Sequence, residues 1–338
     1  MTDNLRDNLY TKKKLRFNND GNFKILMMSD IQETTDFNPI TMNAIEKCLD
    51  FEKPDLVILG GDNCSANCNG YVVDSVDTMS RYLDIMTAPL EKRSIPWAHV
   101  WGNHDHDVRI DEDIQQSLYM RYEHCLSKNA KGVSGQSNFV LPVFSSVGDS
   151  IKFNVWGLDS GNDIYMFADD FYGKGSSLPS DALLPNKVCS FKSMWGFVSF
   201  DRIMWYYNSS IELEEYNGEK INSLMVTHIP VWEIYNIVHN HNECGTLGEH
   251  PENYALGTFN SGLFAAILQR KDVKAMCGGH SHLNDAAGTY CNVILSTDGS
   301  IGYSAYGDNE RRGVRIFEVN ENNTADVKTR MLYCKDLI

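Results

Sequence analysis

The chain of 338 residues, 42% hydrophobic and 22% charged, has the composition of a soluble globular protein and is long enough to bury a substantial core. A formal charge of −15 gives it a field that repels polyanions, which argues against nucleic acid or an anionic membrane as partner; the dense basic run is confined to Lys12–Lys14. No stretch approaches the roughly 18 consecutive apolar residues of a membrane span, the first residues lack a signal-peptide core, and nine cysteines, an odd number, fit thiols in a reducing compartment, so a cytoplasmic protein is expected.

From Phe23 the pattern alternates strand and helix. FKILMMSD is an apolar run ending in an acid; Asn38 and Pro39 then supply the N-cap and first position of a helix with Ala44, Ile45, Cys48 and Leu49 at helical spacing, closed by Pro54. DLVILGGD is a second buried strand, followed by a helix carrying Val72, Val76, Met79, Leu83 and Met86 up to Pro89, and PWAHVWGNHD is a third strand. This alternation predicts an α/β sheet joined by crossover helices. The closest cysteine pair, Cys64 and Cys68, has no second pair at matching spacing and reads as neither a zinc site nor a disulfide.

The later chain changes character. NFVLPVF and SIKFNVWGLD, joined at Gly148 and Asp149, read as a hairpin, and residues 160–196, crowded with glycine, serine and proline, read as an irregular insert. A helix over 201–215, the strand INSLMVTHIP, an irregular stretch over 239–258, a helix over 263–268, a strand over 273–277 and strand-like segments at 290–296, 312–319 and 326–333 follow. With no repeat or low-complexity linker, the expectation is one domain over 22–338 after an N-terminal extension of 1–21.

Five apolar strands run directly into metal-capable side chains: SDIQ (Asp30, Gln32), GGD (Asp62), GNHD (Asn103, His104), THIP (His228) and GGHSH (His280, His282). Ligands of an open α/β sheet gather at the carboxyl ends of its strands, so five such ends can converge on one crevice. Oxygen and imidazole donors without thiolate suit manganese, iron or zinc, and an aspartate on a tight turn, such as Asp62, can bridge two cations. Two metals roughly 3.5 to 4 Å apart deprotonate a water and neutralise charge on a phosphate undergoing in-line displacement. The leaving oxygen then needs a proton, and His104, beside a metal-tied Asn103, is the candidate donor. His280 and His282 are alternate residues that share a site only if the backbone bends, which the preceding glycines permit.

Taken in order, these motifs resemble the calcineurin-like metallophosphoesterase superfamily over residues 22–320. KPDLVILGGD, WAHVWGNHD, VTHIPVWE, FNSGLFAAIL and VKAMCGGHSHLND are similar to the intracellular-type branch of purple-acid-phosphatase-like enzymes of plants and fungi. The resemblance implies an α/β fold, a four-layer αββα sandwich around two β-sheets, with two divalent metal ions and hydrolysis of phosphate esters by a metal-bridging hydroxide. Carried over residue by residue, it implies Asp30, Gln32, Asp62 and His282 around one ion and Asp62, Asn103, His228 and His280 around the other. It also implies His104 as general acid, with Asp105 orienting it. His106 and Asn284, close to these motifs, are expected to touch substrate, whereas His239, His241 and His250 read as ordinary surface residues.

Three departures qualify the resemblance. Gln32 replaces the histidine usual in Asp-x-His, and an amide oxygen is a weaker donor than imidazole, so a labile first site and dependence on Mn²⁺ are expected, with iron or zinc as alternatives. Ser65 stands where purple acid phosphatases carry a tyrosine ligand, so no purple colour is expected, and Ser281 replaces an aspartate present in many relatives. The expected activity is that of a phosphatase on a phosphorylated small molecule or phosphoprotein. Gln32 also resembles the manganese-dependent ADP-ribose and CDP-alcohol pyrophosphatases, which makes nucleotide pyrophosphate or phosphodiester cleavage the alternative. A catalytically inactive metal-binding scaffold is a third possibility, one expected to have lost His104 or Asp62.

Overall fold

The computed structural model describes residues 12–65, 73–162 and 195–338. Cys68, Val72 and most of the 160–196 insert lie outside these residues. The first half runs β1 (Leu15–Arg16), β2 (Asn22–Met28), α1 (Pro39–Glu52), β3 (Leu56–Leu59), α2 (Val76–Lys92), β4 (Trp97–His99), α3 (Glu112–Met120), β5 (Phe139–Phe144) and β6 (Ile151–Gly157). The second runs α4 (Phe200–Asn217), β7 (Asn222–Val226), α5 (Ile234–His239), α6 (Leu263–Arg270), β8 (Val273–Gly278), β9 (Ala287–Tyr290), β10 (Val293–Thr297), β11 (Gly313–Asn320) and β12 (Lys328–Tyr333). Among the described residues no helix is long and apolar enough to cross a membrane.

The strands form two sheets, ordered β12-β11-β2-β3-β4 and β1-β5-β6-β7-β8-β10-β9. β2, β3 and β4 are parallel neighbours joined by α1 and α2, as the strand–helix alternation predicts. Because successive side chains of a strand face opposite ways, each strand splits its apolar residues between two cores. Ile25 and Met27 of β2, Leu56 and Ile58 of β3, Leu224 and Val226 of β7 and Ala275 and Cys277 of β8 meet in one cluster between the sheets. Their neighbours Leu26, Met28, Val57 and Leu59 pack with Ala44, Ile45 and Leu49 of α1 and Met79, Leu83 and Met86 of α2. On the far side, Trp156, Met225 and Met276 pack with Tyr206 of α4, Ile237 of α5 and Ile267 of α6. These three cores are the αββα sandwich. Burying each of the larger apolar side chains contributes about 1.5–3 kcal/mol, and continuous apolar runs are what strands covered on both faces require.

Local signals account for most element ends. The side chain of Asn38 accepts from Ile40 N at 2.9 Å and Pro39 opens α1, which ends with Lys53 in the left-handed region at φ 49°. β5 and β6 form the antiparallel hairpin expected around Gly148, with Leu141 opposite Val155. Three readings change. α2 continues through Pro89 to Lys92, because a proline in the last turn deletes only one backbone hydrogen bond and Pro89 is buried. Helices α3 and α5 fall where no apolar period marks them; α3 is capped by Asp111, whose side chain accepts from Asp113 N at 3.0 Å and Ile114 N at 3.1 Å. Residues expected to be an N-terminal extension include β1, which pairs with β5, and Leu15 and Phe17 lie buried between the sheets.

Candidate metal centre

The carboxyl ends of β2, β3, β4, β7 and β8 meet at one edge of the sandwich, stitched by backbone hydrogen bonds from Asp30 N to Gly61 O (3.0 Å), Gln32 N to Asp62 O (3.2 Å) and Gly279 N to His228 O (2.9 Å). Asp30, Gln32, Asp62 and His280 all adopt positive φ, at 54°, 37°, 49° and 68°. Left-handed backbone at non-glycine residues is costly and persists where the surroundings enforce it, here by bending each strand end so that its side chain turns into the crevice. The bend at His280 lets both it and His282 turn toward the crevice. Two glycines are sterically required: a Cβ at Gly102 would lie 2.2 Å from Asp62 Oδ1, and one at Gly279 would lie 2.5 Å from Ser29 Oγ and 2.7 Å from Asp30 Oδ2.

Two buried clusters result, Asp62–His228–His280 and Asp30–Asp62–His282, each with candidate ligand atoms within 4.8 Å of one another, and Asp62 belongs to both. His228 Nδ1 lies 3.0 Å from Gly60 O, and His282 Nδ1 lies 2.7 Å from Tyr306 O. A carbonyl only accepts, so each Nδ1 carries the hydrogen and each Nε2 is left facing carboxylate: His228 Nε2 is 3.3 Å from Asp62 Oδ2 and His282 Nε2 is 3.1 Å from Asp30 Oδ1. Lone pairs cannot face one another at such distances without a positive charge between them. Asn103 Oδ1 and His280 Nε2 are also buried without a hydrogen-bond partner. This donor set fits divalent cations, with imidazole and oxygen ligands and no thiolate.

The proton affinities express the same demand. Burial pulls His228 down, but Asp62 and Asp30 outweigh it and raise its pKa to about 10. Burial raises Asp30 and Asp62, yet the surrounding histidines hold both below the ordinary carboxylate range. His280 is pushed down to about 3 by burial and by the neighbouring His228, so it remains a neutral imidazole with a lone pair to give. Gln32 reaches the cluster through Nε2, which donates to Asp62 Oδ2 at 2.6 Å; a half-turn of the terminal amide would bring its oxygen there instead.

His104 sits at the mouth of the crevice. Its backbone N–H donates to Asp62 Oδ1 at 2.8 Å, and its ring Nδ1 lies 2.6 Å from Asp107 Oδ2. Burial lowers its pKa while Asp107 and Asp62 raise it, to a net value of about 9. The carboxylate that orients the ring is therefore Asp107, in place of the expected Asp105. Asp105 points inward and accepts from Gly102 N (2.8 Å), Cys64 N (3.0 Å) and Asn63 N (3.3 Å), locking the loop after β3 to the loop after β4. The sequence signal for Asp107 is the acid three residues after His104 in HDHD.

The two residues expected to touch substrate are placed otherwise. The His106 side chain is 5% exposed, with Nδ1 2.8 Å from Glu112 Oε1 and Nε2 3.5 Å from Asp159 Oδ1. Asn284 is fully buried, its Nδ2 donating to Glu252 O at 3.0 Å and its Oδ1 accepting from Glu252 N at 3.2 Å. Sequence proximity to a ligand does not set direction, and both side chains turn into the body of the protein. The rim is aromatic instead. Trp195 meets the His280 ring edge-on at 4.5 Å, and Tyr306 stacks on the His282 ring at 4.0 Å. His239, His241 and His250 are exposed, and His239 stacks on Tyr235 at 5.3 Å. Behind Asp30, Ser29 Oγ lies 2.5 Å from Asp30 Oδ2 and 2.8 Å from Asp298 Oδ1, a buried support that no motif announces.

The family model for the calcineurin-like phosphoesterases matches residues 23–284. "Probable inactive purple acid phosphatase 14" of Arabidopsis thaliana is 26% identical over 349 residues, covering 93% of this chain and 79% of the plant protein. "Phosphatase DCR2" of Saccharomyces cerevisiae is 26% identical over 357 residues, covering 92% of this chain and 54% of the yeast protein. A dimetal phosphatase from Danio rerio shares the fold, with a TM-score of 0.55 at 14% identity over 91% of this chain and 98% of that one. The family match spans all five strand ends that build the crevice, and this chain belongs to the calcineurin-like phosphoesterase family.

Proposed function

We propose that this chain is an active phosphoesterase that removes phosphate from a phosphorylated small molecule or phosphoprotein. The observation that carries the reading is the sharing of Asp62 by two buried clusters, in which His228 and His282 are held with Nε2 inward. Asp30, Gln32, Asp62 and His282 hold one divalent ion; Asp62, Asn103, His228 and His280 hold the other. When bound, the ions neutralise charge on the phosphoryl group and lower the pKa of a water. His104, with Nδ1 pinned to Asp107, keeps Nε2 for the leaving oxygen and is the proton donor. Gly60 O and Tyr306 O fix the tautomers of His228 and His282, so these two imidazoles are preorganised.

Mn²⁺ is the proposed metal, because the amide of Gln32 is a weaker donor than imidazole and makes the first site labile. The word "inactive" in the name of the plant relative bears on that protein; here His104 and Asp62 are both present, which supports catalysis. The odd number of cysteines, with no disulfide among the described residues, supports the cytoplasm as location. Gln32 favours a second reading, cleavage of a nucleotide pyrophosphate. Chelator-stripped protein assayed with a chromogenic phosphomonoester, a chromogenic phosphodiester and ADP-ribose, with and without Mn²⁺, tests both readings. Activity restored by Mn²⁺ and lost in Asp62→Ala supports a phosphoesterase, and the preferred substrate selects the class. No turnover of any of the three by Mn²⁺-loaded protein refutes both.

A further inference from the structure

Tyr306 is 59% exposed although one ring face is covered: it lies parallel to the His282 imidazole, 4.0 Å away and 7° out of plane. The exposure therefore belongs to the opposite face and the ring edge. Exposed aromatic side chains are ordinarily free to turn, but this one is held at its inner face, its hydroxyl and its backbone. Its carbonyl accepts from His282 Nδ1 at 2.7 Å and its hydroxyl meets Glu252 Oε2 at 3.4 Å. Glu252 is fixed in turn by Leu283 N at 2.8 Å and by both ends of the Asn284 amide. The loop beneath is cross-braced by the buried Arg312 guanidinium, which donates to Ser300 Oγ (2.9 Å), Gly302 O and Ala305 O (2.8 Å), and by Ser304 Oγ, which donates to Glu33 at 2.5 Å. An apolar surface kept bare, oriented and rigid beside a reaction centre is preorganised for a ligand.

We infer that the outer face of Tyr306 is the stacking platform for the leaving group, so that the enzyme selects phosphate esters of planar aryl or heteroaryl alcohols. The inference rests on the phosphoesterase reading, since the ring stands over the imidazole of a proposed ligand. A phosphoryl group bound at the centre that His282 Nε2 faces would carry its ester group out past the adjoining Tyr306 ring. The Glu252 carboxylate at the ring edge disfavours a second anionic group there, which leaves a neutral ring as the fitting occupant.

Calorimetric titration of Mn²⁺-loaded wild type, Tyr306→Phe and Tyr306→Leu with phenylphosphonate, cyclohexylphosphonate and methylphosphonate tests this without any leaving-group chemistry. Phenyl and cyclohexyl are alike in size and differ in planarity. Wild type and Tyr306→Phe are expected to bind the phenyl compound about fivefold more tightly than the cyclohexyl one, and Tyr306→Leu to bring that ratio to about one. A wild-type ratio near one, or a Tyr306→Leu loss equal for all three compounds, overturns the platform while leaving the phosphoesterase reading in place. Failure of loaded wild type to bind any phosphonate overturns both.

Discussion

Asp62→Asn keeps the side-chain shape, including the oxygen that accepts the His104 amide at 2.8 Å, and removes one negative charge from the point common to both clusters. At about 4 Å and an effective dielectric of about 20, one pair of unit charges is worth about 4 kcal/mol, roughly a thousandfold in affinity. The amide also places a donor opposite Gln32 Nε2, which now donates to Asp62 Oδ2. Equilibrium dialysis against Mn²⁺ followed by elemental analysis reads the loss directly: wild type is expected to take up about two ions per chain and the variant one or none at the same free Mn²⁺. Thermal unfolding gives a readout independent of catalysis. Free Mn²⁺ at about 100 times its dissociation constant stabilises wild type by about 2.7 kcal/mol per ion bound, a rise in Tm of roughly 4 °C per ion for a chain of this size, and Asp62→Asn should lose most of that rise. An unchanged Mn²⁺ stoichiometry together with an unchanged Mn²⁺-induced rise would show that Asp62 is not the shared ligand.

Asp107→Asn is expected to lower kcat about tenfold on an alkyl phosphate, which needs a proton on its leaving oxygen, and to spare p-nitrophenyl phosphate, whose leaving group does not; equal losses would remove Asp107 as the residue orienting His104. Gly102→Ala drives a methyl group against Asp62 Oδ1, 2.2 Å from the ideal Cβ, so a loss of about 2 kcal/mol in urea unfolding is expected together with loss of Mn²⁺ binding. His106 is lowered by burial but raised more by Asp159 and Glu112, to about 10. A pKa raised above its unfolded value of about 6.5 contributes stability that is fully present below that pH and lost as pH rises through about 10. The Tm gap between wild type and His106→Gln, measured in chelator, should therefore shrink from pH 6.5 to pH 10, and a constant gap contradicts the ion-pair account.

The site was legible to the extent that its chemistry lies at strand ends. An apolar run followed by Asp, Asn or His marks a buried strand delivering a polar group at its carboxyl end, and five such ends in order mark candidate ligands for one crevice. The supports were not legible. Asp298 is 268 positions from Asp30 along the chain, and only the pairing of β10 with β8 carries it to Ser29. Asp105 and Asp107 are alike on paper; one faces the backbone amides of Gly102 and Cys64, the other the His104 ring. His106 and Asn284 show the converse error, since neighbours of a ligand in a turning loop point where the local backbone sends them.

Composition, apolar runs and motif order thus determined the α/β class, the crossover helices and the candidate ligands, because each depends on residues close in sequence and on a period of two or 3.6. The tertiary structure alone decided which face each side chain takes, which carbonyl fixes each imidazole, and that Tyr306 stands over His282, 24 positions away. Those facts depend on sheet order and on left-handed turns at Asp30, Asp62 and His280, which no local propensity favours and only the assembled sandwich enforces.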